Sequence, residues 1–522
     1  MIKRFIGVIL LASVFFGGCG QKREAEILKI RLSADVTTLD PALIVDVSGG
    51  IVASKLYNSL IRYDNQMQIV PDLAEDWSIS PDGKTYTFRL KPGVRFTNNR
   101  EVNAEDIKYS FRRILDPKTR SPRQWVLDRV VGADEFMEGK ASDVSGLKVL
   151  DRYTIQIEIR EPFAPFIGLL AMPAAYVVPK EEVQRWGEDF GEHPMGTGPF
   201  VLSRWRRDEE ILLFANQDYF EGPPQMKGIA YRIIPQDLTA TAEFISGGLD
   251  IMGLPSGEFS RFMSDPNFRP YILNQAGLNV YYLGLNCQKY PFDRIRVRQA
   301  LNYAIDKELI LKTLLKDRGV VAYGPIPPVL AGSNQNISPY PYDPEKAKEL
   351  LRQEGLKNGL SMKIYQRTSQ EALSITQAIQ AQLKEVGIET EIIQLDWSAF
   401  KEAINKGEVD AFYLAWVADY PDAENFLFPL FHSRNIGPGG NRARFSNKEI
   451  DALLEKAIST IDDKTRIALY QEVEAEIHKA APWVFLWHLK EHVVYQPWVK
   501  GFKLYPIYNA DKATTVALTK NP

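Results

Sequence analysis

Residues 415–426 (AWVADYPDAENF) bring a tryptophan, an aspartate and a tyrosine close together, at Trp416, Asp419 and Tyr420. A carboxylate between aromatic side chains suits a ligand ammonium, which needs an opposite charge and an apolar wall. Asp is also common in turns, and an Asp before Tyr-Pro fits a surface turn in which the carboxylate caps the next element. The segment alone therefore leaves two interpretations open, a cation site and a structural turn.

Residues 488–492 (HLKEH) match the H-x-x-E-H pattern of zinc peptidases, whose two histidines share a metal from one face of a helix. The flanking residues 483–487 and 493–495 are aromatic and β-branched, which favours a strand. No further His or Glu in a helical setting nearby offers a third ligand. We expect no metal and no cofactor.

Other catalytic patterns are weak. The sequence has five histidines and no G-x-S-x-G motif, and we expect the single internal cysteine, Cys287, to be a buried apolar side chain. Residues 196–200 (GTGPF) lack the Lys-Ser/Thr pair of a phosphate loop and predict a tight turn into a strand. Carboxylates are numerous, so a hydrolase that uses two of them stays open as an alternative.

Length and composition set the outer limits. A chain of 522 residues exceeds the size of a single core, so we expect two or three domains. The net charge of −3 provides no basic surface for nucleic acid, and 45% hydrophobic residues are ordinary for a globular protein.

The N-terminus has the pattern of a secretory signal. Lys3 and Arg4 precede an apolar run over residues 5–16, and two glycines then lead to Cys19. The ending resembles a bacterial lipobox, although Phe16 stands where that motif usually has an aliphatic residue. We expect a signal peptide over residues 1–18, lipidation of Cys19 and a polar tether over residues 19–27.

The elements that must position Asp419 are readable from hydrophobic periodicity. Residues 410–414 predict a buried strand that ends at Pro421. Apolar residues at helical spacing predict helices around residues 297–304, 375–386, 450–457 and 469–480. A strand around residues 390–393 follows the second of these helices. Helices that alternate with strands predict an α/β fold with mixed sheets. Residues 60–190 instead predict an α+β unit with alternating strands.

Several segments resemble the bacterial extracellular solute-binding proteins of family 5, which include oligopeptide- and dipeptide-binding proteins of ABC importers. The resemblance covers about residues 28–510. It rests on ordered blocks that include residues 39–64 (LDPALIVDVSGGIVASKLYNSLIRYD), 73–117, 195–202 (MGTGPFVL), 281–310 and 416–427 (WVADYPDAENFL).

The resemblance implies a two-lobed periplasmic-binding-protein clamshell. Lobe I would contain residues 28–57, 190–285 and 487–522, and an extra α+β domain, residues 58–189, would pack on it. Lobe II would contain residues 286–486, with the hinge near residues 285 and 487.

The resemblance also implies a binding site. Asp419 would pair with the α-amino group of a peptide, and Trp416 and Trp397 would form aromatic walls. The backbone of Asp46 and Val47 would hydrogen-bond an extended peptide, and Val417, Ala418 and Tyr420 complete the expected ligand contacts. No basic residue for the peptide carboxylate can be assigned from the resemblance.

We therefore expect a membrane-anchored lipoprotein of the cell envelope, periplasmic or extracellular. It would be a monomer that captures peptides for the ABC permease subunits and performs no catalysis. The alternatives are the same scaffold with a nickel chelate, haem or an oligosaccharide as ligand, and a secreted hydrolase.

Overall fold

The computed structural model describes residues 27–356 and 359–519. The predicted signal peptide, Cys19 and the tether up to residue 26 lie outside the described residues. The strands within these ranges are β1 (Ile27–Leu32), β2 (Ile61–Tyr63), β3 (Ile69–Pro71), β4 (Ala74–Ile79), β5 (Thr85–Leu90), β6 (Leu147–Asp151), β7 (Thr154–Glu158), β8 (Phe200–Arg206), β9 (Glu210–Ala215), β10 (Gly228–Ile233), β11 (Ile251–Gly253), β12 (Ile272–Ala276), β13 (Asn279–Leu285), β14 (Gly319–Val321), β15 (Leu360–Arg367), β16 (Ile388–Leu395), β17 (Ala411–Val417), β18 (Trp483–Tyr495), β19 (Val499–Lys500) and β20 (Ala517–Leu518).

The helices cover the sheets and connect their strands. In the described ranges they are α1 (Val47–Leu56), α2 (Ala104–Leu115), α3 (Ala133–Met137), α4 (Phe166–Leu169), α5 (Lys180–Trp186), α6 (Asp237–Ile245), α7 (Phe259–Ser264), α8 (Ile295–Ala304), α9 (Lys307–Thr313), α10 (Pro344–Gln353), α11 (Gln370–Glu385), α12 (Trp397–Lys406), α13 (Glu424–Phe431), α14 (Lys448–Ser459) and α15 (Asp463–Ala480). The four helices predicted from periodicity correspond to α8, α11, α14 and α15.

A mixed sheet runs through both halves of the molecule. The first half carries β1 and β8–β12, and the second half carries β13–β17. Within the described residues, twelve strands join it, in the order β16-β15-β17-β13-β18-β11-β1-β10-β9-β8, with β12 and β14 also paired to β18. Strand β15 lies between β16 and β17 and is parallel to both, because α11 and α12 provide the crossovers. The predicted strand before Asp419 is β17, and β13 pairs with it antiparallel.

Strand β18 joins the two halves of this sheet. Its first part, residues 483–489, pairs with β13 and β14. Its second part, residues 490–495, pairs with β12 and β11. Strand β13 pairs with β17 of the second half, so the pairing favours a chain crossing at residues 277–278, earlier than the crossing predicted near residue 285.

The extra domain contains an antiparallel sheet of its own, in the order β4-β5-β7-β6. Helix α2 begins with a capping box, in which the Asn103 side chain accepts from the Glu105 N–H and the Asp106 carboxylate accepts from the Asn103 N–H. The domain contacts both halves of the molecule: Arg113 pairs with Asp40, and the Ala164 N–H donates to the Ile458 carbonyl at 2.9 Å.

None of the helices within residues 27–356 and 359–519 combines the length and the apolar character needed to cross a bilayer.

Candidate functional site

The carboxyl ends of β15, β16 and β17 meet at one edge of the sheet because the three strands are parallel. Residues that follow these strands are therefore neighbours along that edge. Asp419 follows β17, and Trp397 follows β16, two strand positions away at about 10 Å. The topology explains why residues that are far apart in the sequence lie together at this edge of the sheet.

The segment after β17 is held by one amide side chain. The Oδ1 atom of Asn425 accepts from the Asp419 N–H at 3.1 Å and from the Trp416 indole Nε1 at 3.2 Å. This double contact fixes the indole next to the Asp419 backbone. The Asp419 side chain keeps 29% of its surface exposed, so it is accessible at the edge of a buried region.

Arg123 of the extra domain reaches Asp419 across the molecule. Its Nη1 lies 3.4 Å from the Asp419 Oδ1. Its Nε donates to the Ile44 carbonyl at 3.1 Å and its Nη2 to the Val45 carbonyl at 3.3 Å. The guanidinium thus bridges a loop of the first half and a carboxylate of the second.

Asp46 and Val47 lie beside this bridge. The Asp46 carboxylate caps α1 by accepting from the Gly49 N–H at 2.6 Å, and it also accepts from the Thr37 hydroxyl. Its backbone is extended, whereas Val47 is the first residue of α1 and has an exposed side chain. The Asp46 carboxylate is therefore engaged in hydrogen bonds within the fold, whereas the Val47 side chain is open to solvent.

Tyr508, from the C-terminal part of the chain, lies near Asp419 and Arg123. Its ring lies directly on Gly50 of α1, where an added Cβ would come within 2.2 Å of the ring. Burial raises the pKa of the Tyr508 hydroxyl to about 12, and the nearby charge of Asp419 acts in the same direction. The first half, the extra domain and the second half therefore all contribute side chains around Asp419.

A cavity of about 470 Å³ opens beside Asp419. Its wall combines aromatic rings with charged groups from the extra domain and from the second half. The residues that matter for its chemistry are Arg123, Trp125, Asp128, Arg129, Trp416, Asp419, Glu424 and Phe428. An apolar wall with a few charged groups is the usual composition of a site for a small polar ligand.

The sequence model described as "Bacterial extracellular solute-binding proteins, family 5 Middle" matches residues 68–438. The chain belongs to this family.

Named relatives align with nearly the whole chain. The chain is 32% identical to heme-binding protein A of Haemophilus influenzae, over 88% of this chain and 87% of that one. It is also 32% identical to the dipeptide-binding protein of Escherichia coli, over 87% of each. The solved structure of the periplasmic binding protein DppA of Helicobacter pylori with the peptide STSA superposes with a TM-score of 0.79. That match has 30% identity and covers 96% of this chain and all of the other. The predicted family and the two-lobed α/β fold are confirmed.

Burial dominates the electrostatics of this family 5 protein near Asp419. Burial raises the pKa of the Asp419 carboxyl, and the Arg123 guanidinium opposes this shift. Burial also raises the pKa of Glu424 to about 7, although the Tyr420 hydroxyl donates a hydrogen bond to its carboxylate. Both carboxylates would gain from a cation that enters the cavity, because a buried negative charge without a close partner is unfavourable.

The structure brings three of the eight predicted site residues into the lining of one cavity, and the other five are not part of that lining. Trp416, Asp419 and Tyr420 line the same cavity. Ala418 is buried and Val417 is exposed, as expected for successive residues at the end of a strand. Trp397 does not line this cavity; it begins α12 on the same sheet edge and is 48% exposed. The roles of these residues as ligand contacts stay predictions.

No sequence pattern indicated several residues of the site. Arg123 directly precedes a short 3₁₀ helix that contains Trp125, in a segment with no periodic sequence pattern, and Tyr508 lies in a turn between β19 and β20. Glu424 was visible only as part of the segment around Asp419.

The H-x-x-E-H segment lies inside β18. His488 is buried, and its Nδ1 lies 2.7 Å from the Asn279 carbonyl oxygen. Burial lowers the pKa of its imidazole to about 4. Within residues 27–356 and 359–519, no cluster of His, Cys, Asp and Glu has the arrangement of a metal site.

Proposed function

We propose that this family 5 protein binds peptides outside the cytoplasmic membrane and delivers them to an ABC permease. The observation that carries the proposal is the position of Asp419, a largely buried carboxylate on a cavity between the extra domain and the second half. An ammonium that enters this cavity gains a charged hydrogen bond in an environment with little competing water.

The ligand would lie between the two lobes, which would close around it. The proposed lobes keep the predicted boundaries except at the first crossing, which we place at residues 277–278. The backbone near Asp46 and Val47 would contact the extended peptide, as in strand addition. The protein would release the peptide chemically unchanged.

The anchoring and the oligomeric state belong to the same proposal. Lipidation at Cys19 after removal of residues 1–18 would hold the protein at the membrane, where a monomer can meet the permease. Support comes from the sequence pattern around Cys19 and from the family, whose members are extracellular.

Peptide is favoured over haem by the composition of the cavity. Among the described residues that line it, Tyr420 is the only side chain of a type that ligates haem iron, and its hydroxyl already donates to the Glu424 carboxylate. Carboxylates and guanidinium groups are instead the partners of a peptide's charged groups.

The decisive experiment is native mass spectrometry of the purified protein, followed by identification of the released ligand. We expect peptides that are bound and recovered intact. Incubation with a defined peptide pool, with calorimetry for the retained members, provides the affinities. Cleaved peptides would support a hydrolase, and binding of haem, a nickel chelate or an oligosaccharide without any peptide would overturn the proposal.

A further inference from the structure

A second cavity lies where the extra domain meets the second half of the molecule. Its volume is also about 470 Å³. Its wall combines the hairpin β2–β3 and residues 164–168 of the extra domain with residues 420–422 and the start of α15. Among the described residues that line the two cavities, only Tyr420 belongs to both. The second cavity is therefore distinct from the one beside Asp419, and the function proposed above does not use it.

The extra domain and the second half fit closely beside this cavity. The Ala164 N–H donates to the Ile458 carbonyl at 2.9 Å. Gly83 lies so close to Ile461 that an added Cβ would come within 2.3 Å of the Ile461 side chain. Protein interiors are close-packed, so a cavity of this volume next to such contacts is not the result of loose packing between the two parts. Its volume is in the range of sites that bind small molecules.

Asp422 gives this cavity an uncompensated negative charge. Its Oδ1 accepts from the Glu424 N–H at 2.8 Å, and its carboxylate forms no ion pair with any residue of the described ranges. Burial raises the pKa of the Asp422 carboxyl, although the Glu424 N–H and the charge of Arg466 act against this shift. A buried carboxylate without a paired cation is unfavourable, so a ligand cation that reaches Asp422 would be stabilised.

The guanidinium of Arg466, which is also part of the wall, is already paired. Its Nη2 lies 2.7 Å from the Asp463 Oδ1. The charged residues of the lining are thus two carboxylates, Asp422 and Asp463, and one guanidinium, which leaves a net charge of −1. This balance favours a cationic ligand over an anionic one.

Three tyrosine side chains line the same cavity. Tyr63 and Tyr86 come from the extra domain, and Tyr420 comes from the second half. Burial and the charge of Asp422 both raise the pKa of the Tyr63 hydroxyl, so this ring and the carboxylate are neighbours. The face of an aromatic ring attracts a cation, and its carbon atoms pack against apolar groups. The combination of a carboxylate with tyrosine rings therefore suits an ammonium that carries an apolar substituent.

We propose that this cavity is a second binding site, which takes a small organic ammonium with an aromatic or aliphatic substituent. The ammonium binds the Asp422 carboxylate, and the substituent lies among the tyrosine rings. Because the wall comes from both the extra domain and the second half, the bound ligand contacts both and holds them together. The inference does not depend on which ligand the cavity beside Asp419 takes.

The test compares 2-phenylethylammonium with 2-phenylethanol, which share the ring and the two-carbon chain and differ in charge. Calorimetry uses the full chain with Asp419→Asn, freed of copurified ligand, so that the carboxylate of the other cavity is absent. The ammonium should bind at least about tenfold more tightly than the alcohol, because only the ammonium pairs with Asp422. Equal affinities, or no binding of the ammonium, would overturn the inference. No peptide enters this test, so its result is independent of the proposed function.

The variant Asp422→Asn, in the same background, assigns the preference to this carboxylate. It should make the affinities for the ammonium and the alcohol nearly equal, while the Asn side chain can still accept from the Glu424 N–H. Asp462→Asn is the matched control. Asp462 accepts from the Thr465 N–H at 2.9 Å at the start of α15 and does not line the cavity, so the control should keep the full preference.

A second variant covers the case in which Asp422→Asn does not fold. Gln68 lines the cavity from an exposed position, so Gln68→Lys adds a positive charge there without a change in the core. It should weaken binding of 2-phenylethylammonium and leave binding of 2-phenylethanol nearly unchanged. Gln66→Lys, at an exposed position outside the lining, should behave like the background protein. A preference for the ammonium that survives in both Asp422→Asn and Gln68→Lys would overturn the assignment.

Discussion

At the scale of single residues, Asp419 shows how a fold prepares a carboxylate for a cation. The strand before Asp419 ends next to a cavity, and Asn425 fixes the Asp419 backbone. Its only charged protein partner among the described residues is Arg123, which is far away in the sequence but lies 3.4 Å from the carboxylate. Burial raises the pKa of this carboxyl, so an ammonium that binds it also relieves an unfavourable buried charge.

Replacing Asp419 by Asn should weaken peptide binding by about 2–5 kcal/mol, because a ligand ammonium would lose its charged partner inside the protein. Calorimetry with a peptide found in the copurified material measures the loss. Asp343→Asn is the control: it also removes one carboxylate, but Asn can still accept from the Lys346 N–H at the start of α10. An Asp419 variant with the affinity of the control would contradict the proposed site.

Glu424 should make stability depend on pH. Burial raises its pKa to about 7 in the folded state, and the neighbouring Asp422 and Asp419 act in the same direction, against Arg129. The folded protein therefore binds an extra proton between about pH 4.5 and 7, so this contribution to stability is present below that range and is lost as pH rises.

The variant Glu424→Gln should remove this loss. We compare the free energies of unfolding of the variant and the parent, measured with urea. The difference, variant minus parent, should be larger at about pH 8 than at about pH 4, by up to about 3 kcal/mol. Other titrating groups cancel in this difference. Glu345→Gln changes an exposed carboxylate and should follow the parent at both pH values. Parallel pH profiles for Glu424→Gln and the parent would contradict the buried charge.

At the scale of elements, periodicity and capping residues carried most of the information. Helix α11 was predicted because its apolar residues recur at helical spacing up to a glycine, Gly387, which has a positive φ in the structure. Asn103, a residue type favoured at helix starts, precedes α2, and Asp106 is the second half of its capping box. Such local signals lie within one or two turns of chain.

Contacts between distant segments could not be predicted in this way. Arg123 and Asp419 are 296 positions apart, and no local pattern distinguishes Arg123 from its neighbours. The topology of β15, β16 and β17 determines that Trp397 and Asp419 share an edge of the sheet. No single segment of the sequence predicts this strand order. The resemblance to a family predicted the role of Asp419, but no sequence pattern indicated that the Arg123 guanidinium lies beside it.

The variant Asn103→Ala should destabilise the extra domain by about 1 kcal/mol, because the Glu105 N–H at the start of α2 would lose its side-chain acceptor. Asn103→Asp keeps a side-chain acceptor and should stay within a few tenths of a kcal/mol of the parent. Urea unfolding monitored by tryptophan fluorescence compares them. Equal loss in both variants would contradict the capping role.

At the scale of the whole molecule, the halves are joined by closely fitted backbone. The Asn279 side chain accepts from the Leu489 N–H at 2.8 Å and donates to the Leu489 carbonyl at 3.0 Å. The Gly277 N–H donates to the same carbonyl at 3.1 Å. This contact lies where the chain crosses between β12 and β13, so it connects the lobes that would move in ligand binding.

The variant Gly277→Ala should loosen this junction. An added Cβ would lie 2.5 Å from the Leu489 carbonyl oxygen and 2.2 Å from the Asn279 amide nitrogen, so backbone must shift. We expect a loss of about 1–3 kcal/mol of stability and weaker peptide binding. Gly257→Ala, which has open space around the added methyl group, should behave like the parent. Thermal unfolding and calorimetry decide; identical behaviour of the two variants would contradict a tight junction.

The central place of β18 has a consequence for the order in which the chain folds. Residue 284 pairs with residue 483, and residue 253 with residue 493, so the middle of the sheet waits for a segment that the ribosome makes late. Pairings between such distant segments are slow to form. We therefore expect the large sheet to form only after β18 has been synthesised, so that folding would follow, rather than precede, any export across a membrane.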